Sequence, residues 1–455
     1  MLKNYLKLLS LLALISSYYS CSEDDNYVAV TIQTNSDSAE VSQNSSISID
    51  VLSNDTNVPE NGALTATAPQ NGTTQVLDSN STPGNPSDDT ILYTPNSGYE
   101  GTDTFQYTIC DDNNNCGTGT VTVTVTPVSP VIANLEDMPY ATLSEYNFFE
   151  GELKDLDPVF GVLPYDINSP LFSDYAHKKR FVWMPNGTKA NYASDFTPLD
   201  FPLGAVLIKN FYYDNVQPLN VTRIIETRLM YMTNDGWEFA KYVWNDEQTE
   251  ATFDNSGSFT DVEWIENGQT NNVTYRIPSR NECFTCHNKF GTPVPIGPKP
   301  QNLNRDIAYA EGTTNQLQKW IEVGYLENNL PTSIESTVQW DDESQDLHLR
   351  VRSYLDINCA HCHSEESYCE YRPMRFGFNE NEDDTNKGVC VPPDTQISGT
   401  SHIIVPGNID ASVLRFRINS IEEQDRMPII GRTLKHKEGV RLIEEWINSL
   451  DGECE

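Results

Sequence analysis

Two copies of the pentapeptide Cys-x-x-Cys-His constrain this chain more than any other feature. One is Cys283-Phe284-Thr285-Cys286-His287, and the other is Cys359-Ala360-His361-Cys362-His363. With 10 cysteines and 7 histidines in 455 residues, such a pentapeptide is expected by chance roughly 0.003 times per chain, so two copies are not a coincidence. The spacing is typical of covalent haem attachment, in which two thiols bond to the porphyrin and the next histidine reaches the iron. The sequence therefore predicts two haem c groups, with His287 and His363 as iron ligands.

Two other kinds of site use paired cysteines. The two pairs together could supply the four ligands of a zinc site, and a single pair could act as a thioredoxin-like dithiol. Neither alternative explains why a histidine follows both pairs. Haem attachment is therefore the preferred interpretation.

The formal net charge of −37 excludes one class of partner. The phosphates of a nucleic acid would be repelled, so we expect no nucleic-acid binding. Such acidity keeps a protein soluble, and it would also attract a basic redox partner protein.

The first 20 residues have the pattern of an export signal. Lys3 and Lys7 accompany an apolar run, residues 8–15, that is too short to span a bilayer. Ser20-Cys21 and the acidic residues behind it resemble a bacterial lipoprotein signal, with an acidic tether over residues 21–27. The resemblance implies acylation of Cys21 and an outer-membrane lipoprotein on the periplasmic or cell-surface face. No other stretch is long and apolar enough to cross a membrane.

Residues 28–126 alternate apolar and polar positions between Gly, Asn, Pro and Asp turns, as in 120–125, Thr-Val-Thr-Val-Thr-Val. This pattern predicts an all-β antiparallel sandwich. The stretches 50–55 and 98–105 resemble the bacterial cadherin-like, Ig-like repeat, which implies a spacer or adhesion module. Residues 56–61 supply too few carboxylates for the calcium loop that related repeats carry, so we expect no calcium there.

Five cysteines lie outside the two motifs and Cys21. Cys110 and Cys116 flank a hairpin-tip sequence, and an exported protein would oxidise them to a cross-strand disulfide. Cys369 and Cys390 bracket an acidic, turn-rich insertion and suit a second disulfide. Cys454 is then left over, and its pairing with either Cys369 or Cys390 stays open.

Residues 131–338 predict an α+β domain with an antiparallel sheet around the first motif. Residues 205–213 form one predicted strand, and residues 222–232 turn at Asp235-Gly236 into a strand over 237–244. The stretch 201–209 and the turn at 236–239 resemble the β-rich cytochrome P460 and cytochrome c′-β group. That resemblance implies an iron whose far side is open to small ligands.

Residues 339–455 resemble a class I cytochrome c, which implies an all-α domain around the second motif. Apolar residues recur at helical spacing over 347–355, ahead of the motif, and again over 440–450. Between these helices, Arg426-Met427-Pro428 matches the loop that gives the family its methionine ligand. Met427 is therefore the predicted distal ligand of the second haem, and Met374 is the reserve candidate.

The sixth ligand of the first haem is left open by the sequence. Its candidates are Met184, Met230, Met232, His177 and His348, although a methionine in a strand more often packs a core. An open site is the other possibility. His361, inside the second motif, is expected to point away from the iron and toward solvent.

The two haem domains together resemble a family of bacterial di-haem c-type cytochromes. The leading hypothesis from the two motifs and the export signal is electron transfer in the cell envelope, with the C-terminal haem as the relay. The alternative is a haem enzyme or a small-ligand protein in which the first haem binds nitric oxide, peroxide or hydroxylamine and the second haem is the electron port. A third class, adhesion, leaves both motifs unexplained, and no catalytic acid, base or nucleophile can be named.

Overall fold

The structure, a computed structural model, describes residues 30–455. The chain forms two compact units that meet in sequence between Val128 and Ser129. The first unit is Met1–Val128 and the second is Ser129–Glu455. The predicted signal, the acidic tether and the acylation site at Cys21 lie outside the described residues. Within the described part, no helix has the length and apolar character that a bilayer crossing requires.

The first unit is a β-sandwich, as the alternating sequence predicts. Four strands pair in the order β1-β7-β6-β3, with β1 parallel to β7, and three pair in the order β2-β5-β4. The valines of β7 are buried in the core between the sheets, whereas the intervening threonines are more exposed. The strands are β1 (Asp37–Ser42), β2 (Ile47–Ile49), β3 (Gly62–Ala66), β4 (Gly72–Leu77), β5 (Thr90–Pro95), β6 (Gly101–Asp111) and β7 (Cys116–Thr126).

An eight-stranded antiparallel sheet is the centre of the second unit. Its strands pair in the order β10-β11-β12-β13-β14-β15, and β16 pairs with both β12 and β17. These strands are β10 (Leu163–Tyr165), β11 (His177–Trp183), β12 (Val206–Val216), β13 (Val221–Thr233), β14 (Gly236–Trp244), β15 (Ala251–Phe253), β16 (Ser258–Glu266) and β17 (Gln269–Ile277). The predicted hairpin at Asp235 is confirmed, because Thr233 pairs with Gly236 across the turn.

Short two-stranded ribbons complete the strands of this unit. They are β8 (Phe149–Glu150) with β9 (Asp157–Pro158), β18 (Asn288–Lys289) with β19 (Thr292–Pro293), and β20 (Asp306–Tyr309) with β21 (Gly312–Asn315).

Both faces of the large sheet are covered, so its central strands are apolar on both sides. On one face, Val206, Leu229 and Tyr242 pack against residues from the segment 131–162. On the other, Leu207 and Met230 pack against the helical segments that follow the sheet in the chain. The two motifs lie on this second side.

The described helices are few and short. They are α1 (Arg280–Cys286), α2 (Pro300–Leu303), α3 (Gln316–Glu322), α4 (Leu347–Leu355), α5 (Asp384–Lys387), α6 (Val413–Asn419) and α7 (Lys437–Ser449). The prediction of an all-α class I cytochrome c domain over residues 339–455 is therefore wrong. The predicted boundary between 338 and 339 falls inside the second unit.

The physical reason lies between α4 and α7, the two helices that the apolar spacing correctly indicated. Residues 361–383 and 388–412 run as turns and irregular chain around one short helix. Pro373, Pro392, Pro393 and Gly399 interrupt these stretches, and proline removes a helix hydrogen bond and clashes with the preceding turn. Although α4 and α7 are helices, most of the chain between them is therefore not helical.

Two disulfides occur among the described residues. Cys110 and Cys116 join β6 to β7, as predicted. Cys390 pairs with Cys454, which is one of the pairings that the sequence left open. The preferred Cys369–Cys390 bridge is therefore wrong, and Cys369 is a buried free thiol.

Replacing Cys454 by serine should lower the stability of the second unit. The bridge closes a sequence separation of 64 residues, for which chain entropy accounts for about 4 kcal/mol. Urea denaturation followed by tryptophan fluorescence measures this loss. Cys116→Ser is the control, because its bridge spans 6 residues and lies in the first unit; an equal effect of both variants on the second unit would contradict the assignment.

Candidate functional site

The first motif lies on α1, which begins with a capping box. The Ser279 hydroxyl accepts from the backbone N–H of Glu282 at 3.4 Å, and the Glu282 carboxylate accepts from the backbone N–H of Ser279 at 2.8 Å. Residues three positions apart share a helix face, so Cys283 and Cys286 both line one cavity of the second unit. We refer to it as the first cavity.

His287 follows directly at the end of α1, and its ring orientation is fixed by one hydrogen bond. Its Nδ1–H donates to the carbonyl of Val294 at 2.9 Å, which leaves Nε2 with a free lone pair. Burial, together with the cations of Lys209 and Arg228, lowers the pKa of His287 to about 3. A neutral imidazole whose other nitrogen is held by a carbonyl is the usual form of a metal-binding histidine.

The second motif follows α4 through a π-helical turn, Asp356–Ala360. The backbone N–H groups of Cys362 and His363 both donate to the carbonyl of Cys359, at 3.1 and 2.9 Å. Burial lowers the pKa of His363 to about 4, so this imidazole is also neutral near pH 7. A phenylalanine ring packs edge-on against each of these histidines, with 5.5 Å between the ring centres. Phe239 packs against His287, and Phe376 packs against His363.

The three residues that precede Cys359 attach the second motif to the rest of the unit through hydrogen bonds and apolar packing. The buried carboxylate of Asp356 accepts from Lys299 Nζ at 3.3 Å, from Gln301 Nε2 at 2.9 Å and from the backbone N–H of Phe378 at 3.1 Å. Ile357 belongs to the apolar cluster on the sheet. We call residues 356–358 the anchor segment.

A second cavity adjoins the second motif and is lined by Cys359, Cys362 and His363. The two cavities hold about 1390 and 1140 Å³ of space, including some open to solvent.

The two cavities are neighbours. Five residues line both of them: Cys286, Asn358, His361, Pro428 and Ile430. His361 is half-buried between the cavities, so the expectation that it faces solvent is wrong. The sequence separates the motifs by more than 70 residues and gives no sign of this proximity.

Cys286, His361 and Cys362 bring their ligand atoms within 4.8 Å of one another. A hydrogen bond with Cys362 holds the pKa of the Cys286 thiol well below its ordinary value, and His361 acts in the same direction. Two thiols and an imidazole at this distance could also hold a metal ion.

Met427 lines the second cavity together with His363 and Met374. Its loop is fixed by Arg432, whose guanidinium donates to the carbonyls of Met427 and Leu434, both at 3.0 Å, and to two further carbonyls. The structure therefore brings both predicted methionine candidates to the cavity of the second motif.

Of the candidates for the other iron ligand, Met230 lines the first cavity. Met184 and Met232 pack into the apolar cluster on the same side of the sheet. His177 and His348 are exposed and line neither cavity. The structure therefore favours Met230 among these candidates.

The sequence pattern did not predict that four basic residues line the first cavity. Arg180, Lys209, Arg228 and Lys241 line the first cavity, although each lies within a strand that is otherwise largely apolar. A charged residue inside such a strand was the available signal.

Comparison with known families identifies the first unit. Residues 25–124 match the bacterial Ig domain family. Such domains usually occur outside the cytoplasm, which agrees with export of the chain. The match covers the Ig domain alone and includes neither motif.

No curated protein is significantly similar to the chain. Among solved structures, extracellular cadherin domains 1–4 of protocadherin gamma B7 match with 9% identity. That match covers 55% of this chain and 76% of the other, with a TM-score of 0.17.

Replacing Asp356 by alanine should destabilise the second unit by about 3 kcal/mol or more, because removing one partner of a buried ion pair strands the other charge. The Asp356 side chain is 1% exposed and that of Lys299 is 17% exposed. Urea denaturation measures the loss. Asp410→Ala is the control, because Asp410 is 85% exposed and meets Arg415 at 3.7 Å; similar losses in both variants would rule out the anchoring role.

Proposed function

We propose that the chain is a c-type cytochrome that binds two haems covalently and transfers electrons in the bacterial cell envelope. The observation that carries the proposal is the placement of two Cys-x-x-Cys-His motifs on two adjoining cavities that share five lining residues. Covalent haem supplies one-electron redox chemistry when it is bound. Two such sites in contact form a short path for electrons.

The chain's own residues fit this cofactor. Cys283 and Cys286 would hold one haem, and Cys359 and Cys362 the other, through thioether bonds. His287 and His363 are neutral imidazoles, the form in which a histidine binds iron. The hydrogen bond from His287 to Val294 supports a ligand role, since the partners of metal-binding histidines usually fix the ring in this way.

Met427 supplies the distal ligand of the second site in this proposal. Its backbone is held by Arg432, and its side chain lines the same cavity as His363. A thioether favours ferrous iron, so His/Met ligation would give the second haem a comparatively high potential. This arrangement suits the second haem as the electron relay.

A metal ion at Cys286, His361 and Cys362 is the second candidate, and their 4.8 Å grouping favours it. Structural zinc sites nearly always have four protein ligands, whereas this group offers three. It also leaves Cys283, Cys359, His287 and His363 without a role. Metal analysis of the purified protein distinguishes the two, because zinc-loaded protein would be colourless.

The cellular setting extends the proposal. Acylation of Cys21 would anchor the chain to the outer membrane, on the periplasmic or cell-surface face, with the Ig domain as a spacer. The net charge of −37 would attract a basic redox partner protein and repel nucleic acid. In the alternative proposal, the first haem would bind nitric oxide, peroxide or hydroxylamine, and the second haem would act as the electron port.

Replacing Met427 by alanine should remove the low-spin His/Met spectrum of one haem and lower its midpoint potential. We expect a fall of roughly 100 mV or more, because axial ligands spread haem potentials over about 0.8 V. Spectroelectrochemical titration measures both. Met374→Ala is the matched control, since Met374 lines the same cavity. If Met374→Ala loses the low-spin His/Met spectrum and Met427→Ala keeps it, Met374 is the ligand and the assignment of Met427 is wrong.

A further inference from the structure

Four basic side chains form one row across the eight-stranded sheet. Arg180 on β11 lies opposite Lys209 on β12, Lys209 lies opposite Arg228 on β13, and Arg228 lies opposite Lys241 on β14. Directly paired residues share a sheet face, and like charges there destabilise the pairing. All four residues line the first cavity. We call this set the cationic row.

Two members of the cationic row have carboxylate partners. Arg180 Nη1 donates to Asp166 Oδ1 at 2.6 Å, and Arg228 Nε donates to Glu226 Oε2 at 3.0 Å. Glu226 is fully buried, and its other oxygen accepts hydrogen bonds from Arg228 and from the hydroxyl of Tyr275. Two carboxylates therefore contact a row of four cations.

The other two members have none. The Lys241 ammonium donates to the backbone carbonyls of Ser256 and Pro278. Lys209 has no hydrogen bond or ion pair among the described residues, and its ammonium lies 5.0 Å from the ring centre of Phe211. Among the described residues, neither lysine has a carboxylate within ion-pair distance, so the row has four basic groups and two contacting carboxylates.

Arg180 and Lys241 are buried, whereas Lys209 and Arg228 are half-buried in the wall of the cavity. The Arg180 side chain is 5% exposed, and its Nη2 has no hydrogen-bond partner. Burial lowers the pKa of Lys209 well below its ordinary value, and Arg180, Lys178 and Arg228 lower it further. Charges that are buried among like charges persist in folded proteins where a counter-charge is bound.

We propose that the cationic row is a binding site for carboxylate or small oxyanion groups inside the first cavity. Neighbouring strands are about 4.8 Å apart, so the row extends over about 14 Å, enough for two separate carboxylates. Arginine and lysine side chains are the usual partners of such groups.

Two sources could supply this chemistry. One is the propionate pair of a haem held by the first motif, and this source rests on the proposed function. The other is a free anion such as formate or nitrite, which does not depend on it. Either anion would favour the charged form of Lys209, because an opposite charge nearby raises the pKa of an ammonium group.

The experiment compares three variants with the wild-type protein, after pyridine haemochrome analysis has established the haem content. Lys209→Met removes the charge at similar length, and Lys209→Arg restores it. Lys289→Met is the matched control, because Lys289 lies close to the first motif in sequence and does not line the cavity. Each protein is titrated electrochemically, and separately with sodium formate and sodium nitrite, followed by the Soret band.

If propionates occupy the row, Lys209→Met lowers the midpoint potential of one haem, because a lost positive charge favours ferric iron. A tenfold change in the oxidised-to-reduced ratio corresponds to about 59 mV for one electron. If a free anion occupies the row, formate or nitrite shifts the wild-type spectrum, and Lys209→Met weakens its binding about tenfold or more. Lys209→Arg retains the wild-type behaviour in both cases.

A di-haem protein in which Lys209→Met and Lys289→Met behave alike in both titrations would overturn the proposal while leaving the cytochrome function intact. Haem-free protein would overturn the cytochrome function instead. In that event, calorimetric titration of formate and nitrite decides the inference, and binding that Lys209→Met does not weaken, or no binding at all, overturns it. Should Lys209→Met not fold, Lys241→Met replaces it in the same measurements.

Discussion

The attachment of the anchor segment to the large sheet determines how the two motifs meet. Asp356 accepts hydrogen bonds from Lys299, from Gln301 and from the backbone N–H of Phe378. Ile357 packs in the apolar cluster on the sheet, and Asn358 accepts a hydrogen bond from the backbone N–H of Phe172. These contacts immediately precede Cys359. Because α1 is held against the same side of the sheet, the second motif is placed beside the first. A site pair that is distant in sequence thereby becomes adjacent within one folded unit.

The charges of this region follow from that packing. Burial keeps both His287 and His363 neutral near pH 7, as ligand histidines require. The positive side chains of the sheet face the first cavity, although the chain carries a net charge of −37. The acidity of the chain therefore belongs to its surface, and the cavity interior has the opposite sign. A cofactor or ligand with carboxylates would relieve this imbalance.

Local signals in the sequence predicted local structure well. Alternating apolar and polar residues predicted the Ig domain, and turn sequences predicted the hairpin at Asp235 and the Cys110–Cys116 bridge. Apolar residues at helical spacing predicted α4 and α7. The all-α domain failed because helical ends were taken to imply a helical middle, where prolines and turns prevail.

Features that depend on long-range placement could not be predicted. The cationic row depends on the register of four strands, and a choice among the pairings left open for Cys454 requires knowing that residue 454 lies beside Cys390. The position of His361 between the cavities follows from the anchor segment, which joins residues more than 50 positions apart. Met427 was predicted from its order in the chain, and the structure adds its neighbours and the arginine that holds its loop.

The most direct measurement is the haem content of protein matured in a host that assembles c-type cytochromes, by pyridine haemochrome analysis together with metal analysis. The account predicts two covalently bound haems per chain, and one after Cys359 and Cys362 are both replaced by alanine. Colourless protein, or protein that carries stoichiometric zinc at its thiols, would contradict it.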